Sequence, residues 1–233
     1  MGAKNLLVLG DSHLEALNFA ADLGILHVAS HHFLIVPGAT AVGLRNPNSL
    51  TNAINIFKSS LLTQPIDSHV ITHLGEVDCG FVIWWRAQKY GESVEKQYRE
   101  SIHAYSQFLN EVLENGFTKI CIAGASLPAI RDGVDLSDVA NKRSEINASI
   151  KERTELTLRY NHGLNELANK LGISYFDIND ALLDQSSNVV HDFFRNPNPR
   201  DHHLDKLKTV GIWASKCNSF IDASVCHSKF KDK

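Results

Sequence analysis

Short apolar runs alternate with amphipathic segments along most of this chain, and this alternation constrains its fold more than any other feature. The first run, Asn5–Gly10 (NLLVLG), is continuously apolar and ends at a glycine, as expected for a strand buried on both faces of a parallel sheet. Apolar residues then recur at helical spacing up to Gly24, a suitable C-cap. The same rhythm predicts strands at 5–10, 32–36, 69–75, 119–124 and 173–178, and helices at 13–24, 49–62, 93–115, 143–171 and 205–221.

Strands separated by helices imply right-handed crossover connections and a parallel sheet covered by helices on both faces. We therefore predict an α/β fold, a three-layer α/β/α sandwich with a five-stranded, mainly parallel, flavodoxin-like sheet. The 233 residues suffice for one sizeable domain and contain no repeat, low-complexity tract or linker, so a single domain is expected over 1–233. Ligands of such sheets bind beyond the carboxyl ends of the strands.

Composition excludes several classes of partner. The formal net charge of -3 lacks the basic excess of a nucleic-acid-binding protein. No apolar run approaches the roughly 20 residues of a membrane span, and the first run is followed at once by Asp11 and His13, unlike a signal peptide. We therefore expect a cytoplasmic protein without nucleic-acid or membrane partners. The 4 cysteines show no CxxC spacing and are expected to be reduced thiols.

Polar residues suited to catalysis follow three of the first four predicted strands, and a further group lies near the C-terminus. Because parallel strands end at one edge of a sheet, these segments can converge although they are far apart in sequence. A serine there is a weak nucleophile that needs a nearby base, with an acid to orient the base. The segments are GDSH at 10–13, PGAT at 37–40, GEVDC at 75–79 and DHHL at 201–204.

These segments resemble, in order, the conserved blocks of the SGNH/GDSL hydrolases. GDSH resembles the GDSL motif, and PGAT resembles the second block, whose glycine N–H helps to form the oxyanion hole. GEVD resembles the third block, normally GxND, and DHHL resembles the last block, normally DxxH followed by an apolar residue or proline. The resemblance runs through most of the chain.

The resemblance implies a role for each matching residue. Ser12 would be the nucleophile, and its backbone N–H and that of Gly38 would form the oxyanion hole. His203 would take the serine proton, and Asp201 would orient His203. Such sites act on esters, often acetyl groups on sugars or small acyl esters, through an acyl-enzyme that passes to water or to an alcohol.

The chain departs from the family pattern at two points. Val77 aligns with the third-block asparagine and has no donor, which removes one side-chain contact to the oxyanion. Loss of one such donor typically costs on the order of 10²–10³ in rate. Asp201 lies two residues before His203 instead of three, with Arg200 at the usual position, so His202 is an alternative base although His203 is favoured.

Several further side chains near these segments are candidates for contacting the substrate. Trp84, next to Trp85 and Arg86 in an apparent loop, could stack on a sugar or acyl group, pack on the domain, or contact a second copy of the chain. Arg131 could bind an anionic group or form a structural salt bridge. Cys79 is interpreted as a buried structural thiol. The predicted substrate-binding residues are Asp11, Glu76, Asp78, Trp84, Arg131 and His202.

No cofactor or metal is predicted. The 12 histidines include the adjacent pairs 31–32 and 202–203, but no HxxxH or HExxH spacing occurs, and neighbouring side chains rarely bind one ion together. The chain also lacks the GxGxxG and GxxxxGK[ST] motifs of nucleotide-binding loops.

The leading hypothesis is a serine esterase whose partner is a small-molecule or carbohydrate ester. The alternatives are a sugar O-acetyltransferase of polysaccharide synthesis, and a catalytically weak carbohydrate-binding module of the same fold, which the valine at 77 favours. The sequence leaves open the acyl group, the alcohol, the group that replaces the missing asparagine, and whether the chain forms a homo-oligomer.

Overall fold

The protein folds around one five-stranded parallel sheet. The structure, a computed structural model, describes residues 4–133 and 146–226. The strand order is β2-β1-β3-β4-β5, and each neighbouring pair is parallel. This order confirms the predicted flavodoxin-like sheet. The strands are β1 (Asn5–Gly10), β2 (Ser30–Ile35), β3 (His69–His73), β4 (Lys119–Ala123) and β5 (Ser174–Phe176).

Helices connect the strands, as the alternating pattern predicts. They are α1 (Glu15–Asp22), α2 (Ala53–Leu61), α3 (Ile83–Tyr90), α4 (Val94–Glu114), α5 (Ile150–Leu171), α6 (Asn179–Leu182) and α7 (Lys206–Cys226). Short 3-10 turns cover Ser12–Leu14, Val42–Arg45 and Asp192–Phe194, and a small antiparallel pair joins β6 (Leu183–Asp184) to β7 (Val189–Val190). Residues 143–145 of the predicted fifth helix lie outside the described residues.

Alternate side chains of β1 point into two separate cores, which makes the three layers. Leu7 and Leu9 lie in a core formed with α2, α4 and α5, whereas Leu6 and Val8 lie in a core formed with α1 and α7. Both faces of the strand are therefore buried, which explains why it reads as a continuous apolar run.

The segment after β3 is helical where the sequence suggested a loop. Residues 76–90 form one helical stretch that contains a π-helical turn at Asp78–Val82 and continues as α3. Cys79, Ile83 and Ala87 are buried along it at intervals of four residues. Gly80 and the two tryptophans obscured this periodicity.

The second helix begins later than predicted. The helix predicted from residue 49 is preceded by a tight turn from Ser49 to Asn52, whose backbone N–H donates to the Ser49 carbonyl at 2.9 Å. Asn52 then adopts a left-handed conformation with φ of 52°, and α2 starts at Ala53.

Three cysteines, Cys79, Cys121 and Cys217, are free and buried, and burial raises the pKa of each thiol above its ordinary value. The interpretation of Cys79 as a structural thiol agrees with its complete burial. Among the residues described, no helix combines the length and apolarity needed to cross a membrane.

Gly75, directly after β3, is expected to tolerate substitution poorly. Its φ is 124°, and a Cβ there would lie 2.6 Å from Cε1 of Tyr160. Gly75→Ala therefore adds overpacking to backbone strain and should lower the free energy of unfolding by about 3 kcal/mol. Gly91→Ala is the matched control, because Gly91 has φ of 63° but open space around its Cα, and it should lose only about 1 kcal/mol. Urea unfolding measures both; equal losses would contradict the predicted clash.

Candidate active site

Ser12 lies at the point where the strand order of the sheet reverses. It follows β1, whose last residue, Gly10, pairs with His73 of β3 on one side and with Ile35 of β2 on the other. Ser12 opens the 3-10 turn and is partly exposed, whereas its neighbours are buried. This switch point is the position at which doubly wound sheets bind ligands.

Asp201 holds His203 in one orientation. The Asp201 Oδ1 atom accepts the backbone N–H of His203 at 2.9 Å and lies 2.7 Å from Nδ1 of its ring. Burial by itself raises the pKa of Asp201, but these hydrogen bonds and the nearby imidazoles hold the pKa below its ordinary value. Because Nδ1 donates to the carboxylate, Nε2 of His203 keeps the lone pair that a base or a ligand atom needs.

His13, which sequence analysis did not single out, has the same local arrangement. Asp11 Oδ1 accepts the backbone N–H of His13 at 2.9 Å and lies 3.2 Å from its Nδ1. Nε2 of His13 lies 3.2 Å from Oε2 of the buried Glu76. The two segments 11–13 and 201–203 therefore share the pattern Asp-x-His and the same local hydrogen-bond geometry. This shared pattern is visible in the sequence.

The two segments meet although 190 positions separate them. The ring centroids of His13 and His203 are 4.8 Å apart, and His202 lies 5.4 Å from His13 and 3.9 Å from His203. Among the described residues, Nε2 of His203 has no hydrogen-bond partner, so the hydroxyl of Ser12 does not donate to it in this conformation. Such bonds often form only when the substrate binds.

Asp78 tethers the segment that carries Gly38. Its buried carboxylate accepts the backbone N–H groups of Ala41 and Val42 at 2.8 and 3.0 Å and the hydroxyl of Ser101 at 2.8 Å. Burial raises the pKa of Asp78 despite these bonds. Gly38 itself is exposed and has φ of 72°, a conformation that favours glycine.

Several predicted substrate contacts have other partners in the structure. Asp78 is fully buried, and its oxygens accept hydrogen bonds from the backbone N–H groups of 41–42 and the hydroxyl of Ser101. Asp11 and Glu76 are likewise fully buried and lie against His13. These carboxylates were predicted from their position after a strand, but burial and hydrogen bonding decide which groups a substrate can reach.

Trp84 and Arg131 adopt the structural alternatives that the sequence had left open for them. The indole of Trp84 packs on the core and donates its Nε1–H to the carbonyl of Cys79 at 2.8 Å. Arg131 is exposed and pairs with Asp192 at 2.8 Å. His202 is partly exposed and lies beside His203.

A cavity of about 440 Å³ lies between the turn that follows β2 and the helical stretch that follows β3. Trp85, Phe81 and Arg45 contribute to its wall. The sequence did not indicate this cavity, because residues 84–86 were interpreted as a loop. In the helix, Trp84 packs on the core and the next residue, Trp85, lines the cavity.

Solved structures of proteins described as an arylesterase, a GDSL-like lipase and an acetylxylan esterase share this fold. A protein assigned as an arylesterase from Agrobacterium tumefaciens aligns with a TM-score of 0.60 and 16% identity over 94% of this chain and 99% of that one. A GDSL-like lipase from Bacteroides thetaiotaomicron aligns with a TM-score of 0.56 and 11% identity over 94% of this chain and 89% of its own.

A catalytic mutant of an acetylxylan esterase from Geobacillus stearothermophilus aligns with a TM-score of 0.57 and 12% identity, over 95% of each chain. No family model matches the sequence, and no curated protein matches it significantly. The similarity to these solved structures shows the fold alone, and this fold is the one predicted from the sequence.

The tether at Asp78 should be sensitive to loss of a single oxygen. In Asp78→Asn an NH₂ group replaces one acceptor, so at least one of the three donors loses its partner inside the protein. We expect a loss of about 1–3 kcal/mol in the free energy of unfolding, measured by urea denaturation. Asp67→Asn makes the same change at an exposed position and should unfold at the wild-type midpoint. Equal midpoints for the two variants would show that the tether is not needed.

Proposed function

We propose that the chain is a serine-dependent ester hydrolase in which Ser12 forms an acyl-enzyme. The Ser12 hydroxyl oxygen attacks the ester carbonyl carbon while Nε2 of His203 takes the hydroxyl proton. His203 then gives this proton to the leaving alcohol as the ester bond breaks. Water attacks the acyl-enzyme by the same route, releasing the carboxylic acid and restoring Ser12.

The observation that carries this proposal is the pairing of His203 with Asp201 beside the Ser12 segment. The 2.7 Å contact between Nδ1 and Asp201 selects the tautomer whose Nε2 can accept a proton. The same contact supports His203 over His202 as the base. An aspartate beside the ring also stabilises the imidazolium that forms during the reaction.

Backbone N–H groups of Ser12 and Gly38 are proposed to stabilise the oxyanion. Asp78 fixes the loop after β2 by accepting hydrogen bonds from Ala41 and Val42, and Gly38 in this loop adopts a left-handed backbone conformation. Val77 lies in the first turn of the helical stretch and supplies no third donor from its side chain. We therefore expect slower turnover, by on the order of 10²–10³, than with an asparagine donor.

The proposed substrates are O-acylated carbohydrates or other small esters. The aromatic rings of Trp85 and Phe81 with Arg45 give the cavity apolar faces and polar groups that suit a sugar. Ser12 and His203 are not among the residues that line this cavity, so we propose that it holds the sugar part of the substrate and not the reacting ester. The acetylxylan esterase named above shares the fold and is consistent with this class.

Replacing the nucleophile is the direct test. Ser12→Ala should lower kcat/KM on short-chain aryl esters by about 10⁴-fold or more and abolish labelling by a fluorophosphonate probe, because no oxygen remains to form the covalent bond. Ser59→Ala, at an exposed position on α2, is the control and should keep both. Rates of p-nitrophenol release and mass spectrometry of the labelled chain give the two readouts.

Full activity in Ser12→Ala would overturn the proposal. Absence of labelling in the folded wild-type chain would favour the carbohydrate-binding alternative, and acetyl transfer to a sugar faster than hydrolysis would favour the O-acetyltransferase.

Exchange of His203 and of His202 for Gln separates the two candidate bases, since only loss of the base should reduce kcat by about 10²–10⁴-fold.

A further inference from the structure

Three histidines from two distant parts of the chain form a compact group beside Ser12. His13, His202 and His203 each offer one ring nitrogen, and these nitrogens all lie within 4.8 Å of one another. The group is not required by the acyl-transfer steps, which use one histidine. We propose that it is a binding site for a divalent transition-metal ion such as Zn²⁺, and that bound metal inhibits the proposed hydrolase by occupying His203.

The surroundings of two of the rings are those of metal-binding histidines. Asp11 lies 3.2 Å from Nδ1 of His13, and Asp201 lies 2.7 Å from Nδ1 of His203. A carboxylate on Nδ1 fixes the ring, makes the other nitrogen more basic, and is the usual outer partner of a zinc-bound histidine. Nε2 of His203, buried and with no hydrogen-bond partner among the described residues, is the corresponding ligand atom.

Charge also favours a cation at this position. Three carboxylates, those of Asp11, Glu76 and Asp201, lie around the rings, and the first two are fully buried. When ionised, these carboxylates give the three imidazoles a negative environment that a divalent ion offsets. Glu76, 3.2 Å from Nε2 of His13, is placed to supply an oxygen as a further ligand or to orient a bound water.

The geometry allows a tetrahedral site after a small adjustment. Zinc–nitrogen bonds of 2.0–2.1 Å require nitrogen–nitrogen separations of about 3.3 Å, so each ring would move by about 1 Å towards a common point. His202 and His203 are partly exposed, the side chain of His203 by 17%, which gives an ion access from solvent. Imidazole ligands without thiolates favour Zn²⁺, Co²⁺, Ni²⁺ and Cu²⁺ over Mg²⁺ or Ca²⁺.

Inhibition follows from the lone pair on Nε2 of His203. The proposed hydrolase uses this lone pair to accept the Ser12 proton, and a metal ion would occupy the same electrons. Metal binding and acyl transfer are then mutually exclusive. This second half of the inference rests on the proposed function, whereas the metal site itself does not.

Binding is tested on the untagged full chain by titration with Co²⁺, whose visible absorption reports tetrahedral coordination, followed by competition with Zn²⁺. We expect one Co²⁺ per chain, displaced by Zn²⁺ and unaffected by excess Mg²⁺. His13→Gln and His202→Gln should each weaken binding by about 100-fold or more, with His202→Gln, at a partly exposed position, as the variant less prone to misfolding. His162→Gln, an exposed histidine on α5, should bind like the wild type.

Three results would overturn the site: no absorption change, binding that both cluster variants retain, or equal weakening in His162→Gln. Ser12→Ala should bind Co²⁺ like the wild type, so the site can be measured even if the chain hydrolyses no ester. For the second half, Zn²⁺ should inhibit ester hydrolysis with a half-maximal concentration that matches its Kd, and saturating Zn²⁺ should abolish it. Undiminished turnover in the fully metal-bound chain would overturn the inhibition.

Discussion

The parallel pairing of β1 between β2 and β3 is the constraint on which the rest of this structure depends. β1 is buried on both faces, and its last residue, Gly10, pairs with Ile35 of β2 on one side and with His73 of β3 on the other. Gly10 is needed there because a Cβ would collide with the carbonyl of His73. The turn carrying Ser12 therefore opens into the crevice between the two connections.

Packing of the last helix on the first brings the second half of the site to that crevice. Helices α1 and α7 share one core with the sheet, and Lys206 at the start of α7 pairs with Glu15 at the start of α1 at 2.5 Å. The segment 201–203 immediately precedes α7, so docking of this helix delivers His203 to His13. An aspartate two residues before each histidine then sets the ring orientation locally.

The same arrangement suits two different chemistries. An imidazole held by a carboxylate on Nδ1 can accept a proton from a serine or donate a lone pair to a metal ion. The proposed ester hydrolysis uses one such ring beside Ser12, whereas the proposed metal site also uses His13 and the adjacent His202. Competition between a proton and a metal ion for one nitrogen would couple the two activities.

Local sequence patterns determined the strands, most of the helices, the fold class and the positions of the GDSH and DHHL segments, because burial on both faces of a strand and on one face of a helix leaves periodic apolar residues. The helical stretch 76–90 was missed because its π turn and Gly80 break that periodicity. Only the tertiary structure decided which partners the polar side chains have. Asp78 and Trp84 form hydrogen bonds with backbone groups, and His13 lies beside His202 and His203. Such contacts join residues that are distant in sequence, so no local pattern records them.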